Sequence, residues 1–516
     1  MAVHVSRSLS LPVVTGGLLA LAGATWRLAH EAVVFDDAFI SYRYAQNLVA
    51  GQGLVYNPGE RVEGFTNLLW TLLNAVPLWL GSDPLAFSRV LGALCLAAAV
   101  GAVLWASARC GPDHAGTAAL LAPLLTWPFG MAAMATTGLE TPLVGAVAAV
   151  LPLLYFGPGA QSRTRNLLAS TVGLVGILAR LDAGLLPGTA LLVDVAHAWP
   201  ERRAWRQQLG PLAARHLPWM AGTVLSAALR FGYYGDLLPN TYYAKAGDVA
   251  HWEVGGAYLL AFARNSPWAV LLLLALLASA RAWWATPHRL LVVHALSAFG
   301  LFSLYAAKVG GDFMYYRFMF ELLPALVVAA AAVLAALAPA HPRAARALAA
   351  ASLALSFAPP HLEHRFAMQS MEEMDGYYRL GAAVAPRLNE VLPRETVLST
   401  TLAGTLAYFS DRTVVDEWGL NDAFVAHLPR RDITYRGHVK RAPLSYLQER
   451  RVNLVLGHPV VCPCDRPCVE NLPNVFIRLG GNRCLRSWYL TQDETLTRHL
   501  CSRPGDFLLW NVACPT

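Results

Sequence analysis

The sequence predicts a polytopic α-helical membrane protein that ends in an extramembrane α/β domain. Three observations carry that prediction. Only 14% of the 516 residues are charged and 56% are apolar, with a mean hydropathy of +0.41, whereas soluble domains carry roughly 25% charged residues. Apolar segments recur near 9–29, 84–108, 115–135, 139–157, 166–181, 184–199, 213–230, 257–280, 289–306, 318–338 and 345–358, many of a length suited to a bilayer. The acids are uneven as well: 16 of the 33 precede residue 360 and 17 lie in the remaining 157 residues. The shift divides the chain into a transmembrane domain, 1–358, and a soluble domain, 359–516.

The first segment, 9–29, spans or is a signal cleaved near Ala22-Gly23-Ala24. Either way the first outer loop, 30–83, leaves the cytoplasm. It opens with Asp36-Asp37, continues through an amphipathic stretch, and turns at GQGLVYNPGERVEGFTN, which carries Glu60, Arg61 and Glu63. Residues 67–81, broken by Pro77 and Gly81, are too short to cross and dip into the outer interface. With that segment excluded, parity places Arg109, Arg163, Arg165, Arg202, Arg203, Arg206, Arg215, Arg281, Arg289, Arg343 and Arg346 in cytoplasmic loops, as the positive-inside rule requires. The expectation is about eleven transmembrane helices, with the C-terminal domain periplasmic or extracellular. The same topology puts most acids before residue 360 on the outer face; Asp113, Asp194 and Glu201 are the exceptions.

Beyond residue 360 an amphipathic connecting helix leads into strand and helix alternation through ETVLST, AGTLAYF, RTVVD and NLVLGH. Six cysteines then fall within the last 55 residues: Cys462, Cys464, Cys468, Cys484, Cys501 and Cys514. An even, clustered set outside the cytoplasm is expected to form three disulfides. A zinc site on Cys462, Cys464 and Cys468 is the alternative, but paired CxxC knuckles are absent from the tail. The net charge of +7 comes from short loops rather than a basic face, which excludes nucleic acid as a partner.

Charges gather at predicted outer helix ends: Glu140 in TTGLETPL, Arg180 and Asp182 in LARLDAG, Tyr243 and Lys245 in LLPNTYYAKAG, and Asp312 and Arg317 in KVGGDFMYYR. One outer cavity lined by these groups, with Arg43, Arg61 and Glu63 from the first loop, would suit sugar transfer from a lipid-linked donor. A carboxylate takes the acceptor's proton, and cations or a metal hold the departing phosphate. Asp36 and Asp37 are the candidate catalytic acids, and the others are candidates for the donor and its phosphate. Each has a plainer role too: Asp36 and Asp37 as helix caps, Glu140 and Arg180 as charges complementing helix ends. Asp416 and Asn421 in VVDEWGLND would face the acceptor or close an ordinary turn. A divalent cation (magnesium, manganese or calcium), if required, would sit on Asp36, Asp37 and Glu140.

DDAFISYRYAQNLVAGQGLVYNPGERVE, ATTGLET, LARLD, YYGDLLPNTYYAK, GGDFMYYR and VVDEWGLND occur in this order between residues 36 and 422. In this the chain resembles the GT-C membrane glycosyltransferases, and most closely the mycobacterial terminal β-(1→2)-arabinofuranosyltransferase family. The resemblance implies an inverting enzyme of the bacterial plasma membrane. It implies decaprenyl-phospho-arabinofuranose, or a similar polyprenyl-phosphate sugar, as donor and a cell-envelope glycan as acceptor. It also implies Asp36 as general base with Asp37 in support. The cysteine-rich end departs from the family pattern. A lipid-linked sugar transporter or flippase would place ionisable residues through the depth of its helices. A glycan polymerase or ligase would gather basic residues in a large late outer loop. The sequence does neither.

Overall fold

The computed structural model describes residues 11–110, 115–128, 130–159, 161–199, 205–245, 249–358, 365–430, 439–468 and 472–515. Asp113, Glu201, Arg202 and Arg203, named above, lie outside them.

The helical half is built around the helix Arg317–Leu337. Beyond Arg317 and Glu321 in its first turns its sequence is apolar all round, so it belongs inside a bundle rather than on its surface. Nearly nine-tenths of its most apolar 18-residue window is buried, beneath Thr141–Phe156, Pro84–Cys110 and Arg289–Val309. Small residues let neighbouring helices approach closely. A Cβ on Gly255 would stand 1.9 Å from the carbonyl oxygen of Ala307.

By length and composition the described residues hold fewer crossing helices than the eleven expected. Three qualify, Pro84–Arg109, Arg289–Val309 and Arg317–Leu337, and a fourth if Trp252–Asn265 and Pro267–Ala278 count as one span bent by 95°. Proline and glycine explain much of the difference. The segment 115–135 is no continuous helix: it breaks into Ala115–Ala119 and two 3₁₀ turns, Ala122–Leu125 and Ala133–Thr136, around Pro123, Pro128 and Gly130. Segments 184–199 and 345–358 form helices of 14 and 15 residues, Leu185–Ala198 and Pro342–Ser356, about 21–23 Å long. Residues 67–81 hold the short helix Leu68–Trp79 with Pro77 inside it.

After the helix Arg365–Val391 comes a six-stranded sheet: β1 (Leu398–Thr400), β2 (Val414–Asp416), β3 (Leu454–Pro463), β4 (Asn474–Gly480), β5 (Arg483–Tyr489) and β6 (Phe507–Trp510), in the order β2-β1-β3-β5-β4-β6. β1 runs parallel to both β2 and β3, while the other pairs are antiparallel. The expected strands ETVLST, RTVVD and NLVLGH are the parallel part, and AGTLAYF supplies the helix Thr405–Ser410. The cysteine-rich end is the antiparallel part of the sheet.

The cysteines do not all pair. Disulfides join Cys464 to Cys484 and Cys501 to Cys514, whereas Cys462 and Cys468 are free thiols. Cys462 lies opposite Cys484 in the β3/β5 ladder, but Cys484 is taken by Cys464, and Cys462 instead receives the backbone N–H of Cys468 at 3.3 Å. Among the described residues no three His, Cys, Asp or Glu side chains cluster as a metal site, so the zinc alternative has no cage there.

The halves share a core. Ile40, Tyr44, Tyr56 and Phe65 of the first loop and Ala244 pack with Leu388, Leu406, Leu454, Val475 and Phe507 of the C-terminal sheet module. The first loop is therefore clasped by residues more than 300 positions away.

Candidate active site

The loop holding Asp36 and Asp37 is pinned from three sides. Phe35 N–H donates to the Thr137 carbonyl (3.1 Å) and Val34 N–H to Asp375 Oδ1 (2.9 Å). Phe39 packs on Tyr378, Tyr408 and Phe409 of the C-terminal module.

These anchors separate the two acids. Asp36 is buried, and its carboxylate accepts the N–H of Gly404 (2.9 Å), the N–H of Thr405 (2.8 Å) and the Thr405 hydroxyl. Burial pushes Asp36 up to about 6 against the pull of those donors, with the Asp37 charge adding to the rise. Asp37 immediately precedes the helix Ala38–Val49, yet its side chain makes no capping hydrogen bond. Burial raises its carboxyl too, opposed by Lys245 and Arg317 and reinforced by Glu140. Asp37, rather than Asp36, is thus the member electrostatically coupled to Lys245, Arg317 and Glu140.

Arg180 lies at the cluster's centre. It ends the helix Arg163–Ala179 in extended backbone, which frees its guanidinium to reach Asp182 (2.6 Å), Glu140 (3.2 Å) and Glu321 (3.4 Å). Glu140 also accepts from Asn67 Nδ2 (2.8 Å). Arg180, expected to hold the donor phosphate, is already hydrogen-bonded to Asp182 and Glu140, with Glu321 in a longer ion contact.

Lys245 and Arg317 differ from it. Neither forms an ion pair within 4 Å among the described residues, and Arg317 Nε is buried without a hydrogen-bond acceptor. Burial lowers the Lys245 ammonium, with Arg317 and Arg180 lowering it further and Asp37 and Asp312 opposing. Each is set by a short irregular element. Lys245 follows the turn of helix Asn240–Ala244. Arg317 follows Tyr315 and Tyr316, two consecutive residues in the left-handed region (φ 51° and 58°), a conformation costly for non-glycine residues. Asp312 holds this segment in place: it accepts from Met314 N (2.7 Å), Phe318 N (3.2 Å) and Tyr258 Oη.

Other expected site residues engage partners within the protein. Arg43 donates to the carbonyls of Tyr56 (3.1 Å) and Arg412 (3.0 Å) and pairs with Asp411 (3.5 Å). Arg61 lies over the Tyr233 ring, 5.0 Å from its centre. Glu63 is clamped by Arg230 at 2.6 and 2.8 Å. Tyr243 packs on His427 with ring centres 4.5 Å apart. Asp416 closes its own turn on Trp418 N (2.9 Å), Asn421 N (2.9 Å) and Asn421 Nδ2 (3.0 Å). Of the three acids offered to a divalent cation, if one is required, Asp36 already accepts N–H and O–H donors and Glu140 accepts from Arg180 and Asn67, which leaves Asp37 without a capping bond.

Sequence reasoning left Thr405, Gly404, Arg230 and Asn240 out of the site. Asn240 donates to the carbonyls of Gly419 (2.8 Å) and Leu420 (3.0 Å), and its own N–H reaches Glu63 O (2.9 Å). It lies inside the LLPNTYYAKAG motif and could have been found there. Thr405 has no such signal, since its contact is made across 369 residues of chain.

A family model described as "Domain of unknown function (DUF8728)" matches residues 368–501, most of the C-terminal module. The terminal β-(1→2)-arabinofuranosyltransferase of Mycobacterium tuberculosis is 31% identical over 265 residues, covering 48% of this chain and 40% of that protein. The enzyme of the same description from Corynebacterium glutamicum is 28% identical over 375 residues, covering 62% and 49%. The chain therefore spans less than half the length of these curated relatives. Among solved structures, ArnT from Cupriavidus metallidurans bound to undecaprenyl phosphate superposes with a TM-score of 0.58 at 14% identity, over 92% of this chain and 97% of that one. Its apo form gives 0.53. The likeness extends through both the helical half and the module: the chain shares the fold of ArnT and is similar in sequence to part of the two arabinofuranosyltransferases.

Proposed function

We propose that the protein transfers a sugar from a polyprenyl-phosphate donor to a cell-envelope glycan on the outer face of a bacterial plasma membrane. The observation that carries this reading is one carboxylate, Asp37, unengaged by any cap and opposed by two cations, Lys245 and Arg317, that have no ion-pair partner within 4 Å among the described residues. In the reaction the acceptor hydroxyl gives its proton to Asp37 and its oxygen bonds to the anomeric carbon. The bond from that carbon to the phosphate oxygen breaks, and the electron pair leaves with polyprenyl phosphate, whose charge Lys245 and Arg317 receive. Asp36 and Arg180 organise these groups without taking part in the transfer. The names of the relatives favour arabinofuranose as the sugar, and the fold shared with a structure holding undecaprenyl phosphate favours a polyprenyl carrier.

The test is turnover of purified protein with decaprenyl-phospho-arabinofuranose and a synthetic arabinofuranosyl acceptor. Undecaprenyl-phosphate sugars serve as comparison donors. Lys245→Ala and Arg317→Ala are expected to raise the donor KM, and Asp37→Asn to lower kcat by about 10²–10⁴-fold. Full turnover by Asp37→Asn would refute the assignment of the base.

A further inference from the structure

We propose that Thr405 of the C-terminal module is a positioning residue for the catalytic carboxylate and acts through Asp36; this rests on the assignment of Asp37 as base. Asp37 makes no capping bond of its own, so its place is inherited from the backbone it shares with Asp36. Asp36, in turn, is held less by the membrane domain than by the module. All three donors to its carboxylate come from Gly404 and Thr405, at the entry to the helix Thr405–Ser410.

The contact is built for close approach. A Cβ on Gly404 would lie 1.8 Å from the Asp36 carbonyl oxygen and 2.8 Å from its Oδ2, so only glycine fits there. Thr405 is itself backed by Gly381 of the helix Arg365–Val391, where a Cβ would stand 2.1 Å from the threonine hydroxyl oxygen. Asp36 O meanwhile accepts the N–H of Phe39 (2.9 Å), so a shift of Asp36 is passed to the first turn of the helix behind Asp37. An ordinary cap would tie neighbours in one element; this one ties the acid pair to a residue of the module 369 positions later. Removing one of three donors leaves the module attached but lets the acid pair move, and a displacement of about 1 Å at a reacting group can cost on the order of 10²-fold in rate.

The experiment compares Thr405→Val, Thr405→Ala and Thr405→Ser in the full-length protein. Turnover is measured with decaprenyl-phospho-arabinofuranose and the synthetic arabinofuranosyl acceptor, alongside Asp37→Asn. Valine keeps the shape and the N–H but removes the hydroxyl; alanine covers the case in which a methyl is not accepted beside Gly381. The expected result is a fall in kcat of about tenfold or more in both, with donor KM within about twofold of wild type, and recovery in Thr405→Ser. Unchanged kcat in Thr405→Val or Thr405→Ala overturns the proposal. So does a parallel loss of kcat, KM and thermal stability that serine fails to restore, which would mark a structural contact only. An inactive Asp37→Asn beside fully active Thr405 variants defeats this inference alone, whereas an active Asp37→Asn defeats the functional reading beneath it.

Discussion

Replacing Arg180 by alanine separates a structural from a ligand-binding arginine. If Arg180 held the donor phosphate, its loss would raise donor KM and leave the fold intact. The structure instead gives it three carboxylates at 2.6, 3.2 and 3.4 Å, with Glu321 wholly buried and the Glu140 and Asp182 side chains 3% and 10% exposed. Two unit charges 4 Å apart attract by about 4 kcal/mol at an effective dielectric near 20, but most of that offsets the desolvation of the ions. What matters on truncation is the remainder: three acids left in a buried site without their cation. Removing one partner of a buried pair costs about 3–5 kcal/mol, and Arg180→Ala is expected in that range because its two hydrogen-bonded carboxylates, Asp182 and Glu140, are stranded. Arg180→Lys should lose less, since an ammonium keeps the charge but cannot fork to several carboxylates. Thermal unfolding in detergent, followed by size exclusion to count folded protein, measures the effect. A stable Arg180→Ala protein with unchanged melting and only a higher donor KM would refute this reasoning and restore the arginine to the phosphate.

Three further outcomes are expected. Asp416 is pushed up to about 7 by burial, against donors from Asn421 and Trp418. Because its folded-state value lies above the unfolded one, its contribution is present below about pH 4 and is lost as pH rises towards 7, by about 1.4 kcal/mol per unit at most. The melting-temperature difference between Asp416→Asn and wild type should therefore grow in the mutant's favour across that window, and a flat difference counts against it. Peptide mapping without reductant should recover Cys464–Cys484 and Cys501–Cys514; Cys501→Ser opens a link of separation 13 and should cost about 3 kcal/mol, so an unchanged melting temperature would argue against that bridge. Cysteines introduced at exposed Gly51 and Glu449, with the unpaired native cysteines replaced, should label from one and the same side of the membrane, and labelling from opposite sides would break the topology.

Much of the architecture was legible in the chain because it depends on local quantities. Depletion of charge before residue 358 announced the helical half, and β-rich stretches such as ETVLST and NLVLGH announced the parallel strands. The clustering of Glu140, Arg180, Asp182, Lys245, Asp312 and Arg317 could be anticipated from their positions at predicted helix ends. Where the apolar segments are broken could not, because hydropathy does not distinguish a lipid-facing helix from a buried, broken segment such as 115–135, whose described apolar residues face protein.

The partners of each charge in the cluster were decided only in three dimensions. Asp36 and Asp37 are chemically identical neighbours, and nothing local tells them apart. The module brings Gly404 and Thr405 to one and leaves the other facing Lys245 and Arg317. Arg180 and Arg317 are likewise two arginines at helix ends; three acids from separate helices and turns converge on the first, and Asp312 is spent on backbone N–H groups and Tyr258 beside the second. Which charge is satisfied depends on pairings across tens to hundreds of residues, and those distances are set by packing of the whole chain, not by the order of its neighbours.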